Sequence, residues 1–176
     1  LLWLPYLATF YARATGDWSL FGEPARFLRA RPLEPGEDEA FLTPEDSGET
    51  ASLYEHCCRA LDRSLTHGRH GLPLMGTGDW NDGMNRVGRE GRGESVWLGF
   101  FLYAILGEFI PVCGQHGDYN RARRYAAFRS HLATALNEHG WDESWYRRAW
   151  YDDGAVLGSA TSDECRIDAL AQAWAV

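Results

Sequence analysis

The chain has 176 residues, 45% of them hydrophobic and 14% aromatic, so it can bury a substantial core. Its formal net charge is −8, and its 17 basic residues are all arginine. They form no basic cluster of the kind that marks nucleic-acid binding, so nucleic acid is not an expected partner. The four cysteines lack C-x-x-C spacing, which argues against a zinc site or a secreted disulfide framework and favours a reducing, cytoplasmic compartment.

The first third of the chain predicts two helices separated by a long loop. Leu1 to Thr15 has a helical apolar face, ended by Gly16, and this face consists of Leu4, Leu7, Ala8 and Tyr11. Asp17 to Glu45 is rich in proline and acidic residues, which indicates a surface loop. Thr50 to Leu65 returns to helical spacing, with Thr50 as the expected N-cap.

Two longer helices are predicted in the second half. Val96 to Gln115 is apolar around most of its circumference, and the Gly, Glu and Pro residues within it favour a buried inner helix over a membrane span. Tyr119 to His139 follows, with Asp118 as N-cap and Gly140 at its end. Four arginines of this helix are expected to face water, namely Arg121, Arg123, Arg124 and Arg129.

The remaining segments predict a small β-hairpin and a last helix. Trp145 to Tyr151 and Ala155 to Leu157 are aromatic or β-branched, and Asp152-Asp153-Gly154 between them is typical of a tight turn. Asp168 begins a helical pattern that continues to the final residue. Because helical patterns lie at both ends, we expect residues 1–176 to be the central part of a larger domain, truncated at both ends.

The stretch from Gly71 to Gly88 contains the main candidate ligand-binding residues of the chain. Its glycines let the backbone approach a ligand closely. Carboxylates and amides surround the flat indole of Trp80, namely Asp79, Asn81, Asp82 and Asn85. An aromatic plate beside hydrogen-bonding groups is a common arrangement for binding a sugar, although a surface cluster of turn residues has equal weight. The spacing fits neither an EF-hand calcium loop nor a P-loop.

Other polar residues are weaker candidates. His67 and His70 have helical spacing but no third ligand nearby, so solvated or hydrogen-bonded histidines are favoured over a metal site. Several carboxylates could contact sugar hydroxyls or could equally be caps or ion-pair partners, namely Glu94, Asp163, Glu164 and Asp168. The sequence therefore predicts no metal ligands.

A resemblance to a known family runs from about Glu49 to Val176 and rests on three long strings. These strings are GLPLMGTGDWNDGMNRVG, GRGESVWLGFFL and WYRRAWYDDGAVLGSATSDECRIDALAQAWAV. They resemble the inverting phosphorylases of glycoside hydrolase family 94, and within it the C-terminal phosphorylase-like domain of cyclic β-1,2-glucan synthases. The resemblance is specific because the strings are long and occur in the right order.

The resemblance implies an all-α fold, a partial (α/α)6 barrel with a small β-hairpin, and residues 1–176 would be part of the catalytic barrel. Alternating exposed and buried helices favour the same toroid, although periodicity alone does not separate it from other helical arrays. The implied partners are a β-glucan oligosaccharide and inorganic phosphate as co-substrate, with no organic cofactor or metal. The remainder of the polypeptide, or self-association, would cover the inner helices, and an intact protein is compatible with attachment to the bacterial inner membrane.

In the family the second aspartate of the D-W-N-D string is the general acid, which places that role on Asp82. Trp80 would line the glucose subsite, with Asp79 and Asn81 also binding substrate. The residues alone do not separate Asp79 from Asp82 as the acid. An inverting displacement by phosphate needs an acid for the leaving oxygen but no base, because phosphate is already anionic. The family's other glucose-binding residues and its phosphate-binding histidine are not located in this chain.

The expected function is inverting phosphorolysis, or reverse synthesis, of β-glucosidic bonds, in the setting of β-1,2-glucan metabolism. One alternative is a β-glucan hydrolase or transglycosylase on the same barrel, which would need a second carboxylate. A non-catalytic sugar-binding module is the other alternative. An isolated fragment is expected to be inactive.

Overall fold

The computed structural model describes residues 1–34, 36–37 and 39–175, and the side chain of Asp82 also lies outside the described part. The chain divides into two compact units, Leu1–Ser64 and Leu65–Val176, each with its own helices and a small antiparallel sheet. The described residues are thus mainly helical, with two small sheets where the sequence predicted one hairpin.

The first helix, α1, spans Trp3–Thr15 and ends at Gly16, whose φ of 78° is the left-handed conformation that glycine adopts easily. Its predicted position is confirmed. Its buried face, however, consists of the small or short residues Pro5, Ala8, Thr9 and Ala12. Most of the predicted apolar face is instead exposed, including Leu4, Leu7 and Tyr11.

The predicted loop from Asp17 to Glu45 is wrong over part of its length. A 3-10 turn at Trp18–Gly22 is followed by strand β1, Pro24–Arg29, which pairs antiparallel with β2, Glu45–Ser52. The Phe27 ring of β1 stacks on His56, with ring centroids 3.7 Å apart, and the Arg59 guanidinium lies over the Phe27 ring, 4.3 Å from its centroid. Packing on the following helix therefore stabilises the strand, and local composition does not reveal such a contact.

The second helix, α2, spans Leu53–Ser64, so its predicted N-cap is wrong. Thr50 lies within β2, and the amide of Glu55 donates to Ser52 Oγ at 3.3 Å instead. The helix buries one face, made of Tyr54, Cys57, Cys58, Ala60 and Leu61.

The second unit is built on two packed helices. Helix α3 spans Val96–Gln115, as predicted, and α4 spans Tyr119–Ala135, continuing into a π-helical turn at Leu136–Gly140. Side-chain caps begin both: Ser95 Oγ accepts from Leu98 N at 3.0 Å, and Asp118 Oδ1 accepts from Arg121 N at 3.1 Å. Among the described residues, α3 alone is long and apolar enough to cross a membrane, and 56% of its apolar window is buried inside the protein.

Not all the arginines of α4 face water as predicted. The Arg129 guanidinium lies 3.8 Å from the ring centroid of Tyr103 on α3, and its Nε donates to the Tyr103 carbonyl oxygen at 3.1 Å. Arg121 is half-buried beside Asp118, whereas Arg123 and Arg124 are exposed. Arg129 therefore covers the surface of α3 with its stem and a cation–π contact.

A three-stranded sheet lies at the N-terminal end of α3, because its first strand runs directly into that helix. Strands β3, β4 and β5 are antiparallel neighbours in that order, and they span Glu94–Ser95, Ala149–Trp150 and Val156–Leu157. The predicted hairpin is confirmed between β4 and β5. Helix α5, Ala169–Trp174, is capped by Asp168, whose Oδ1 accepts from Leu170 N at 2.9 Å.

Candidate functional site

The loop from Gly71 to Gly88 is irregular, as predicted, apart from a bridge between Leu74 and Glu94 and a 3-10 turn at Asp82–Met84. Its two arms pack backbone against backbone. A Cβ at Gly88 would lie 2.8 Å from the carbonyl oxygen of Gly76. The glycines therefore allow a tight closure that a side chain would prevent, and the residues between the arms form the tip of the loop.

Asp79 is the anchor of this tip. Its side chain is 0% exposed and forms a bidentate ion pair with Arg148, with Nη2 at 2.6 Å from Oδ1 and Nη1 at 2.7 Å from Oδ2. Ser95 Oγ donates to Oδ2 at 2.6 Å, and the backbone amide of Asn81 donates to Oδ1 at 3.2 Å. Both carboxylate oxygens are thus engaged twice, which differs from the exposed position expected of a carboxylate that contacts sugar.

This environment keeps Asp79 ionised. Burial acts to raise the pKa of the carboxyl, but the hydrogen bonds from Arg148 and Ser95, the Arg148 charge and the Asn81 amide outweigh burial and lower the pKa below its usual value. A general acid has to hold a proton near neutral pH. The environment of Asp79 therefore disfavours that role, which the sequence alone had left open.

Arg148 is the site residue that sequence reasoning missed. Its side chain is 1% exposed, and it precedes β4 in the string WYRRAW. Besides Asp79 it contacts Ser95 Oγ, at 3.2 Å from Nη1, and its Nε lies 3.7 Å from Asp168 Oδ1. The available signal was an arginine in an aromatic, strand-forming segment, where burial requires an acidic partner.

The residues that follow Asp79 lie at the surface. Trp80 is 57% exposed as a residue, with its ring centroid 6.3 Å from that of the buried Trp97. Asn81 is exposed, and its Oδ1 accepts from Gly83 N at 3.0 Å, which begins the 3-10 turn. Asp82 is the first residue of that turn, and the role predicted for its side chain falls outside the described residues. The fold thus separates a buried anchor from an exposed indole and amide.

Glu94 holds the beginning of the loop. Its side chain is 1% exposed; Oε1 accepts from the amides of Leu72 at 3.0 Å and His70 at 3.1 Å, and Oε2 lies 2.5 Å from His70 Nδ1. The His70 ring stacks on Trp150, with centroids 4.0 Å apart. Of the two interpretations of Glu94, the structure favours an ion-pair and backbone anchor over a sugar-binding carboxylate.

Asp152, in the β4–β5 turn, holds the segment after the loop. Its carboxylate accepts from the backbone amides of Glu90, Arg92 and Gly93, each at 2.8 Å. Burial acts to raise the pKa of Asp152, and these three hydrogen bonds outweigh it and lower the pKa. The hairpin that the sequence predicted therefore fixes the segment that directly follows the loop.

Other possible sites offer less chemistry. Among the residues that the structure describes, no three His, Cys, Asp or Glu side chains come together as they would around a metal ion. A cavity of about 360 Å³ opens among residues of α3, α4 and α5, with an aromatic and aliphatic lining that includes Phe100, Tyr103 and Trp174. Its described lining has no carboxylate, so it provides no general acid.

Comparisons with known proteins identify relatives along the whole chain. The chain is 43% identical over 175 residues to cyclic β-(1,2)-glucan synthase NdvB of Rhizobium meliloti (strain 1021), covering 99% of this chain and 6% of that protein. It is 40% identical over 131 residues to 3-O-β-D-glucopyranosyl-β-D-glucuronide phosphorylase of Paenibacillus borealis, covering 74% and 17%. It is 32% identical over 176 residues to cellobionic acid phosphorylase of Neurospora crassa, covering 99% and 20%.

The chain thus spans a fifth or less of the length of these curated relatives. A family model described as the glycosyl hydrolase 94 superfamily, catalytic domain, matches residues 1–176. The family predicted from the three strings is therefore confirmed, and the match also includes the first 48 residues, which precede the stretch where the resemblance begins. The chain belongs to the glycosyl hydrolase 94 superfamily and lies within its catalytic domain.

Proposed function

We propose that this chain carries the general acid, Asp82, of an enzyme that cleaves or forms β-glucosidic bonds by inverting phosphorolysis. In the cleavage direction the C1–O glycosidic bond breaks, and Asp82 gives its proton to the leaving oxygen. A phosphate oxygen attacks C1 from the opposite face, and the product is an α-glycosyl phosphate. Phosphate is the co-substrate, and the reaction as written needs no organic cofactor.

The observation that carries this proposal is the sequestration of Asp79. The loop has two carboxylates, Asp79 and Asp82, and Asp79 is buried in an ion pair that lowers its pKa. Two carboxylates that hold the loop and the segment after it are also engaged: Glu94 is committed to His70 and two backbone amides, and Asp152 to three backbone amides. Asp82 is the remaining acid of the loop, which supports the assignment that the family resemblance implies.

The surroundings of Asp82 support a sugar substrate. Trp80 exposes its indole two residues earlier, and such a face packs well against the C–H face of a pyranose ring. We propose that Trp80 lines the glucose subsite and that the exposed amide of Asn81 lies beside it. The relative at 43% identity is named for β-1,2-glucan synthesis, and we extend that substrate class to this chain.

We propose further that residues 1–176 form part of an (α/α)6 barrel. The exposed apolar side of α1 supports a cover by the remainder of the same polypeptide, because solvent-facing Leu7 and Phe10 are 55% and 64% exposed. In this proposal the catalytic domain is cytoplasmic, in a protein compatible with association with the bacterial inner membrane.

The test is Asp82→Asn in the complete protein. The change keeps the shape and removes the transferable proton, so we expect phosphorolysis of β-1,2-glucan to fall about 10²-fold or more. β-Glucosyl fluoride with phosphate should recover much of the rate, because the C1–F bond breaks without protonation of the leaving group. Asp153→Asn is the matched control, since Asp153 is exposed and an asparagine can still accept from Ala155 N.

Three outcomes would overturn the proposal. Near-normal phosphorolysis by Asp82→Asn would remove the acid assignment. Cleavage at full rate without phosphate would favour the hydrolase or transglycosylase alternative, and sugar binding without any turnover by the unmodified protein would favour the binding module.

A further inference from the structure

We infer that Arg148 and Asp79 are positioning residues: their buried ion pair holds the segment from Trp80 to Asp82 in the orientation that catalysis requires. This inference rests on the proposed function, because it assigns a purpose to the loop that carries the acid. Neither side chain contacts the reacting atoms in this assignment. Both act through the backbone and side chains that follow Asp79.

The ion pair is connected directly to the tip of the loop. The two Arg148 nitrogens hold the plane of the Asp79 carboxylate at 2.6 and 2.7 Å, and a bidentate fork fixes orientation as well as distance. The same carboxylate accepts from the amide of Asn81, which immediately precedes Asp82. A shift of the guanidinium would therefore be transmitted to the backbone one residue before the acid.

Arg148 is itself held by rigid elements. Its amide donates to the carbonyl oxygen of Leu157 at 2.8 Å, and its carbonyl oxygen accepts from Val96 N, the first residue of α3, at 3.1 Å. Gly158 has a φ of 79°, and a Cβ there would lie 2.6 Å from Arg148 N, so the chain packs tightly against it. Arg148 thus links the loop to the three-stranded sheet and to the first residue of α3.

Ser95 connects the pair to α3 a second time. Its hydroxyl donates to Asp79 Oδ2 at 2.6 Å and accepts from Leu98 N at 3.0 Å, so one side chain serves both the loop and the helix cap. The Arg148 Nη1 also lies 3.2 Å from this hydroxyl oxygen. The three side chains form one buried polar network, which is the kind of arrangement that specifies a single geometry.

Stability alone is a weak reason for such a pair. The attraction between buried charges is offset largely by the cost of removing them from water, so an apolar replacement is often as stable. Position matters more for catalysis, where a displacement of about 1 Å can cost about 10²-fold in rate. The ion pair is therefore suited to fix the position and orientation of the segment from Trp80 to Asp82.

The experiment compares Arg148→Met with Arg147→Met in the complete protein. Arg147 is the adjacent arginine and also forms an ion pair, with its Nη2 2.5 Å from Asp142 Oδ1, while its Nη1 donates to the carbonyl oxygens of His139 and Trp141, which lie outside the loop. The measured quantity is the ratio of kcat for β-glucosyl fluoride to kcat for β-1,2-glucan, both with phosphate. This ratio does not depend on the fraction of folded enzyme.

We expect Arg148→Met to lower kcat on the glucan about 10- to 100-fold and to raise the fluoride-to-glucan ratio at least about tenfold. Arg147→Met should leave the ratio within about twofold of the unmodified protein, whatever it does to Tm, because the side-chain hydrogen bonds of Arg147 run to His139, Trp141 and Asp142. Asp79→Asn should behave like Arg148→Met. The double variant should show no lower kcat on the glucan than either single variant, since each single change already breaks the same ion pair.

An unchanged ratio in Arg148→Met would overturn the inference, because a merely structural residue lowers both rates equally. If that variant does not fold, Arg148→Lys keeps the buried charge but loses the fork, and the same ratio decides. Failure of the proposed function is distinguishable: the unmodified protein would then show no phosphate-dependent cleavage, whereas failure of this inference alone leaves cleavage and the Asp82→Asn effect intact.

Discussion

Removal of the Glu94 carboxylate should loosen the N-terminal arm of the loop without unfolding the core. Glu94 accepts from the amides of His70 and Leu72, and Leu72 is fully buried. In Glu94→Ala both amides lose their acceptor inside the protein, and the contact with His70 Nδ1 is lost as well. Glu94→Gln keeps one oxygen and the shape, so it should be the milder change.

The magnitude follows from the number of donors left without a partner. Each buried N–H that loses its acceptor costs about 1–3 kcal/mol. The half-buried His70 can recover part of this cost from water, whereas the Leu72 amide cannot. We therefore expect local opening around Leu72 to become easier by about 1–3 kcal/mol, which is roughly a 5- to 150-fold loss of protection, since about 1.4 kcal/mol is a factor of ten.

Peptide-resolved hydrogen exchange on the complete protein measures this effect, because it reports local opening separately from global unfolding. The Leu72 amide should exchange faster in Glu94→Ala, while amides around Ile105 in the middle of α3 should keep their protection. Glu164→Ala is the control, since Glu164 is an exposed carboxylate in the same unit. Unchanged protection at Leu72, or an equal loss at Ile105, would refute the assignment of Glu94 as a local anchor.

Two further predictions follow from titratable groups. The pKa of Asp79 is lowered in the folded state, so its contribution to stability is present above about pH 4 and is lost as the pH falls through the folded-state pKa. Thermal scans from about pH 5 to 2 should therefore show a smaller decrease in Tm for Asp79→Asn than for the unmodified protein. Parallel curves of Tm against pH would contradict this prediction. Burial raises the pKa of the Cys57 thiol to about 12, whereas Cys165 is exposed. Peptide-resolved alkylation of the native protein at neutral pH should therefore label Cys165 before Cys57. Faster labelling of Cys57 would contradict this prediction.

The helices of the second unit were predictable because their signals are local. An apolar run of helical length, a serine or aspartate cap and a closing glycine are all carried by neighbouring residues, and α3 has the predicted bounds Val96–Gln115. The β4–β5 hairpin was predictable for the same reason, since Asp152-Asp153-Gly154 specifies its own turn. Their local preferences and their tertiary contacts favour the same structure.

In the first unit, local sequence signals did not predict strand β1 or the buried side of α1. Strand β1 lies in a segment whose prolines and acidic residues are typical of a loop, and its order depends on Phe27 packing against His56 from α2. The apolar face of α1 is similar in kind: the spacing of Leu4 and Leu7 correctly predicted a helix but not which side of it is buried. In both cases the deciding contacts are made with residues that lie further along the chain.

The same reason explains what could be inferred about the site. The sequence of the loop offered two aspartates as candidates for the acid, because glycines, amides and an indole surround both. The sequence could not separate them, because what distinguishes Asp79 is an arginine 69 residues away that arrives from the β4 segment. An ion pair at that separation leaves no local pattern, yet it determines which carboxylate is sequestered. With Arg148 paired to Asp79, Asp82 is the remaining carboxylate of the loop, which supports the proposal that Asp82 is the acid for a reason independent of the family resemblance.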